Sequence, residues 1–143
     1  MVPLCLVQPR SAEAVATVVK SVREHKCRFA VKSGGHSLAR GTSNRQDGLV
    51  IDLKHLNQIK VSDDKETAFV GSGNTWGDVY RELDPQGLAI VGGRVPSVGV
   101  GGFTLGGRYQ TLLANVATEA DMPRWYIVSL PSLWLGNRQR PPV

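Results

Sequence analysis

The chain is built from short apolar runs broken by polar turns, with a stretch of helical period near its start. Leu4 to Val7 is an apolar run closed by Pro9 and reads as a strand. Ser11 is a good helix N-cap, and Val15, Val18, Val19 and Val22 follow at the spacing of one helical face. Lys20, Arg23, Glu24 and Lys26 lie mostly off that face, and the helix is expected to end near Cys27. Arg28 to Lys32 is the next strand. Strand, helix, strand is the opening of an α/β unit with parallel pairing.

A polar loop, Arg40 to Gly48, leads into Leu49-Val50-Ile51-Asp52-Leu53, a buried-strand pattern. Ile59 to Ser62 and Thr67 to Gly71 are two further strands, and Asp63-Asp64-Lys65 between them predicts a hairpin turn. Thr75 can cap a helix running to about Leu83 that buries Trp76, Val79 and Leu83, and Asp84-Pro85-Gln86-Gly87 stops it. Leu88 to Val91 reads as another strand. From Gly92 to Gly107 the chain is too glycine-rich for the interior of an ordinary helix or strand. Tyr109 to Ala120 has the makings of a helix, Trp125 to Leu135 is apolar without a clean period, and Asn137 to Val143 reads as a frayed end.

Composition narrows the class. The chain has 143 residues, the size of one ordinary domain, and its 41% hydrophobic and 20% charged content is that of a folded protein. The formal net charge of +5 forms no dense patch and does not interleave with aromatics, which argues against nucleic acid and suits a small anionic ligand. Cys5 and Cys27 make no disulfide framework and are expected to be small buried hydrophobes. No apolar run approaches transmembrane length, and no membrane partner is expected. The start has neither a basic segment nor a small-residue cleavage site, so no signal peptide is expected.

The candidate chemistry sits at two glycine clusters. Ala30-Val31-Lys32 runs into Ser33-Gly34-Gly35-His36-Ser37. Glycines here let backbone N–H groups approach a phosphate, with a histidine held alongside. The plain alternative is a strand–loop connection that merely needs positive φ, with His36 a hydrogen-bonded structural residue. The second cluster holds Pro96, Ser97, Val98, Gly99, Gly101, Gly102 and Gly106. It does not satisfy the dinucleotide spacing G-x-G-x-x-G, because Thr104 stands where the third glycine belongs, and no glycine is followed by lysine as a P-loop requires. Asp63, Asp64, Asp78, Glu82 and Asp84 form no convincing acid–base pair. His25 and His55 match no motif, and Trp76 reads as core.

Taken in order, Cys5 to Ser11, Lys32 to Ser37, Ile51-Asp52-Leu53, Gly71 to Tyr80 and Gly99 to Gly107 resemble the FAD-binding, PCMH-type domain of the berberine-bridge-enzyme-like oxidoreductases. These lie within the vanillyl-alcohol-oxidase group. The resemblance runs from residue 3 to 107. It implies an α+β fold with an α/β-like first lobe and, here, an incomplete second lobe, and FAD as cofactor. It implies that Ser33, Gly34, Gly35, His36, Ser37 and the Pro96–Gly106 cluster bind the flavin, with His36 bonded to its 8-methyl group. Some members add a cysteine bond just before the later proline. Val95 stands there, so attachment is expected through His36 only. Val98 falls at the family's gate position, where a small residue goes with access of dioxygen and hence an oxidase.

The resemblance further implies an FAD-linked oxidoreductase acting on an alcohol or amine group of a small molecule, in secondary metabolism. The alternative expectation is an inactive remnant retaining only the first FAD-binding lobe. Gly107 is followed by Arg108-Tyr109-Gln110 instead of a third glycine, and residues 108–143 do not match the family's continuation. That break suggests a changed reading frame, a retained intron or a truncated gene model. Weak or absent FAD binding is expected of the chain alone. Intact relatives are often secreted.

Overall fold

The computed structural model describes residues 2–65, 67–90, 92–106 and 127–129. The expected helix Tyr109 to Ala120 and the end from Asn137 lie outside the described residues. Two three-stranded sheets organise the rest.

The first sheet follows the opening pattern. Strand β1 (Cys5–Val7) leads into helix α1 (Ala12–Glu24), then β2 (Phe29–Lys32) and β3 (Leu49–Asp52). The order is β1-β3-β2, with both pairings parallel. The Ser11 hydroxyl accepts from the Ala14 amide at 3.2 Å and caps α1. Lys26, at φ 51°, turns the chain out of the helix before Cys27. Of the predicted helical face only Val22 is buried, and Val15, Val18 and Val19 are half-covered. Cys5 and Cys27 are both exposed, contrary to expectation. Cys5 sits on an edge strand, and Cys27 lies beyond the α1 cap, so neither reaches the core.

The second sheet holds the hairpin β4 (Ile59–Val61) and β5 (Thr67–Val70), paired antiparallel as predicted. Strand β6 (Ile127–Ser129) joins β5 in parallel. Helix α2 (Trp76–Leu83) follows, ending in a 3-10 turn, Asp84–Gln86. Gly87, at φ 69°, closes that turn in the left-handed region, where a side chain would be strained. Ala68, Val70, Trp76, Val79, Leu83, Leu88, Ile90 and Val100 form one buried cluster.

Two local expectations fail around this core. Leu88 to Ile90 is not a strand. Leu88 and Ile90 are buried while Ala89 is exposed, so the segment lies extended over the core without a ladder partner among the described residues. The glycine cluster, in turn, contains helix α3 (Val100–Leu105). Its propensity is poor, but Val100 is fully buried and Phe103 meets the Trp76 ring edge-on at 5.4 Å. Packing overrides the local preference. No helix among the described residues is long and apolar enough to cross a membrane.

Candidate functional site

Three turns converge where the two sheets meet: residues 33–37 after β2, 71–75 after β5, and 96–102 leading into α3. Each is fixed by bonds to the others. The Ser33 hydroxyl donates to the Ser72 carbonyl at 2.6 Å. The Trp76 amide donates to the Val98 carbonyl (3.0 Å), the Gly77 amide to the Pro96 carbonyl (2.9 Å), and the Val100 amide to the Asn74 carbonyl (2.9 Å). Thr75 and Gly99 form an antiparallel bridge.

The two predicted glycine clusters touch backbone to backbone. A Cβ on Gly34 would collide with the Gly99 amide nitrogen and lie 2.8 Å from the Ser97 carbonyl oxygen. A Cβ on Gly99 would in turn strike the Gly34 nitrogen and the Ser33 hydroxyl. Glycine at 34 and 99 is therefore a steric requirement. Gly101 fits beside Ser72, 3.0 Å from its carbonyl oxygen, and Ser33, while Gly102 opens to free space. Gly106 is exposed at the α3 C-cap, and Pro96 packs over Gly77.

Gly35 takes φ +73°, which swings the chain outward. His36 and Ser37 follow it into solvent, and Leu38 is fully exposed. The Gly34 amide is packed against Gly99, and among the described residues no hydrogen bond uses the exposed backbone amides of Gly35, His36 or Ser37. These donors are available to an external acceptor, which is the requirement for a phosphate cradle. The glycine contact and the available amides fit the pyrophosphate of a dinucleotide such as FAD. Val98 packs its side chain against the buried cluster, and Val95 is exposed.

Helix α2 is anchored beside this junction. Thr75 and Asp78 form a reciprocal capping box, the Thr75 hydroxyl donating to Asp78 at 2.7 Å. These bonds, with Arg81 nearby, hold the Asp78 carboxyl below its usual range. The Tyr80 hydroxyl donates to the Gly93 carbonyl at 2.9 Å and ties the 92–97 loop down. Burial, with a smaller contribution from Asp84, raises the Tyr80 phenol. A cavity of about 560 Å³ opens on the α2 side of the Ser33–Gly34 turn, bordered by Lys32, Asp52, Lys54, Thr75 and Arg81. Of the predicted site residues it reaches only Ser33 and Gly34, so it is not the space that His36 faces.

Sequence reasoning missed Ser72 and Asn74 as parts of the junction. The Gly71-Ser72-Gly73 run just before a capped helix was the available signal. No group of metal-binding side chains occurs among the described residues.

Two glycine turns locked together at the join of an α/β-like sheet unit and a smaller α+β unit define a dinucleotide-binding lobe. The FAD binding domain model matches residues 3–118, and the chain belongs to that family. It is 41% identical over 128 residues to the FAD-dependent monooxygenase FUP4 of Fusarium proliferatum, covering 90% of this chain and 25% of the relative. It is 44% identical over 145 residues to the FAD-dependent monooxygenase tpcD of Cochliobolus heterostrophus, covering 87% and 28%. Among solved structures it is similar to aclacinomycin oxidoreductase (TM-score 0.64, 34% identity, 73% of this chain and 21% of that one). It is also similar to 6-hydroxy-D-nicotine oxidase of Arthrobacter nicotinovorans (TM-score 0.63, 31% identity, 69% and 22%). Together with a berberine-bridge-enzyme-like protein of Physcomitrella patens, these neighbours identify the fold as the PCMH-type FAD-binding domain. The chain spans about a quarter of the length of the curated relatives it matches.

Proposed function

We propose that this chain supplies the flavin-holding part of an FAD-linked oxidase that acts on an alcohol or amine group of a small molecule in secondary metabolism. The observation that carries this reading is the meeting of Gly34 and Gly99, with the exposed amides of residues 35–37 at its edge. In this reading Ser33, Gly34, Gly35 and Ser37 hold the pyrophosphate from one side. Pro96, Ser97, Val98, Gly99, Gly101, Gly102 and Gly106 border the cofactor from the other. Bound FAD would supply the two-electron acceptor that takes hydride from the substrate and passes the electrons to dioxygen.

His36 is the attachment point in this reading. Its exposed ring, unbonded among the described residues, can approach the flavin without breaking an existing contact. Fixing the ring system there lowers the entropic cost of reaching transfer geometry. Val95 offers no sulfur, so a second covalent bond from that position is excluded by chemistry. The relatives named as monooxygenases and the solved oxidases support dioxygen as co-reactant.

The test is to supply the purified chain with FAD, desalt it, and record the visible flavin band and the mass of the His36 peptide. The sequence alone leads to an expectation of weak or absent binding; because the Gly34–Gly99 contact is formed within this chain, the reading expects instead retained flavin and a flavin mass on that peptide. Loss of all flavin at desalting overturns it. A flavin mass on a peptide lacking His36 overturns the attachment.

A further inference from the structure

We propose that the Ser33 hydroxyl is a latch between the two sheet units, a positioning residue that sets the 33–37 turn for the cofactor without itself touching a phosphate. The proposal rests on the reading of that turn as part of the flavin cradle.

The turn holds two serines with different bonding. Ser37 bonds only inside its own loop, its oxygen lying 3.3 Å from the Ala39 amide and 2.7 Å from the Thr42 hydroxyl. Ser33 reaches out of its loop. It follows β2 of the first sheet and donates at 2.6 Å to the Ser72 carbonyl, 39 positions away in the turn after β5 of the second. Among the described residues no backbone hydrogen bond joins residues 33–37 to the second unit. The hydroxyl is therefore the polar tie of this turn, and the glycine packing is its steric one.

The Ser33 side chain sits where that packing is tightest. A Cβ on Gly99 would strike its oxygen. A Cβ on Gly101 would lie 3.6 Å from the Ser33 Cβ and 3.0 Å from the Ser72 carbonyl oxygen. Just behind the latch, the Val100 amide donates to the Asn74 carbonyl at 2.9 Å and fixes the start of α3. The exchange of that amide therefore reports on the latch.

A serine hydroxyl has one hydrogen to donate, and phosphate oxygens accept. The Ser33 hydrogen is already directed at Ser72, so the share of this residue in holding the pyrophosphate is indirect. Donation to the anion falls to the exposed amides of residues 35–37. Ser33 keeps the chain that carries them pressed on Gly99. Without its hydroxyl the Ser72 carbonyl loses this donor, and the turn is held by contact alone.

Ser33→Ala removes the latch, and Ser37→Ala is the matched deletion in the same turn. Amide hydrogen exchange is first recorded on the full chains without FAD. Ser33→Ala is expected to speed exchange at Val100 about five-fold while the amides of β3 and β5 keep their wild-type rates. Ser37→Ala is expected to leave all of them unchanged. FAD affinity is then measured with His36→Ala added to each chain, so that no covalent bond forms, and Ser33→Ala is expected to bind about five-fold more weakly. A fall in affinity with unchanged exchange at Val100 makes Ser33 a direct phosphate ligand and overturns the latch. Equally fast exchange at Val100 in Ser37→Ala, or an equal rise across β3 and β5, reduces the effect to general loosening and overturns it too. A wild-type chain that takes no FAD overturns the flavin reading and the positioning role together; FAD bound equally well with and without the Ser33 hydroxyl overturns this proposal alone.

Discussion

The two sheets carry their apolar side chains differently. Around β4, β5, α2 and α3 one cluster is closed, with Val70, Trp76, Val79 and Val100 all at or below 1% exposure. On the β1-β3-β2 sheet, only Val50, Ile51 and Ala30 are well covered. Register puts Leu6 in line with Val50 and Ala30, and Val31 in line with Ile51. Adjacent residues on a strand face opposite sides, so Leu6 and Val31 expose apolar surface on both faces of the sheet. The stability of the described lobe therefore resides in the α2 half. The turn bearing His36 springs from the less covered half and is fixed by its bonds across the junction. Rigidity at the site comes from the contact between the halves.

The sharpest way to break this contrast is Trp76→Ala. It removes the ring that Phe103, Tyr80 and the Gly92–Gly93 backbone pack on, and is expected to cost about 3–5 kcal/mol in a denaturant melt. Loss below about 1 kcal/mol would show that the cluster is not the stabilising centre.

Gly99→Ala attacks the junction instead of the core. The added methyl meets Gly34 backbone, and the expected loss is about 1–3 kcal/mol with a larger fall in FAD retention than Trp76→Ala causes at matched stability. Retention equal to wild type would separate the glycine contact from flavin binding.

Thr75→Ala removes the capping box and is expected to cost about 1 kcal/mol. A pH dependence accompanies it. The Asp78 carboxyl is lowered in the folded chain, so its stabilisation is present above the ordinary carboxylate value of 3.8 and is lost as pH falls through the lower folded value. Asp78→Asn should flatten that acid limb in melts recorded along a pH series, and an unchanged limb would assign it to other groups.

The smallest effect is expected at Val31→Ala on the open sheet, about 0.5 kcal/mol. Since Val31 is 45% exposed, a loss as large as that of Trp76→Ala would mean that the first sheet is buried in solution.

Much of this was legible from local pattern. The face of α1, the hairpin through Asp63-Asp64-Lys65 and the Thr75 cap each follow from interactions within a few residues. The glycine turns were legible as candidates because only glycine tolerates such approach. The ion pair between Lys32 and Asp52 was not legible, because it joins side chains twenty positions apart.

The sequence by itself determined the order of elements, the caps and the chemistry available at each turn, because neighbouring residues supply those free energies. Tertiary structure alone decided that Gly34 abuts Gly99, that a glycine-rich run becomes helix α3, and that Leu88 and Ile90 enter the core without forming a strand. Those outcomes depend on contacts between segments far apart along the chain, where steric fit and burial outweigh local preference.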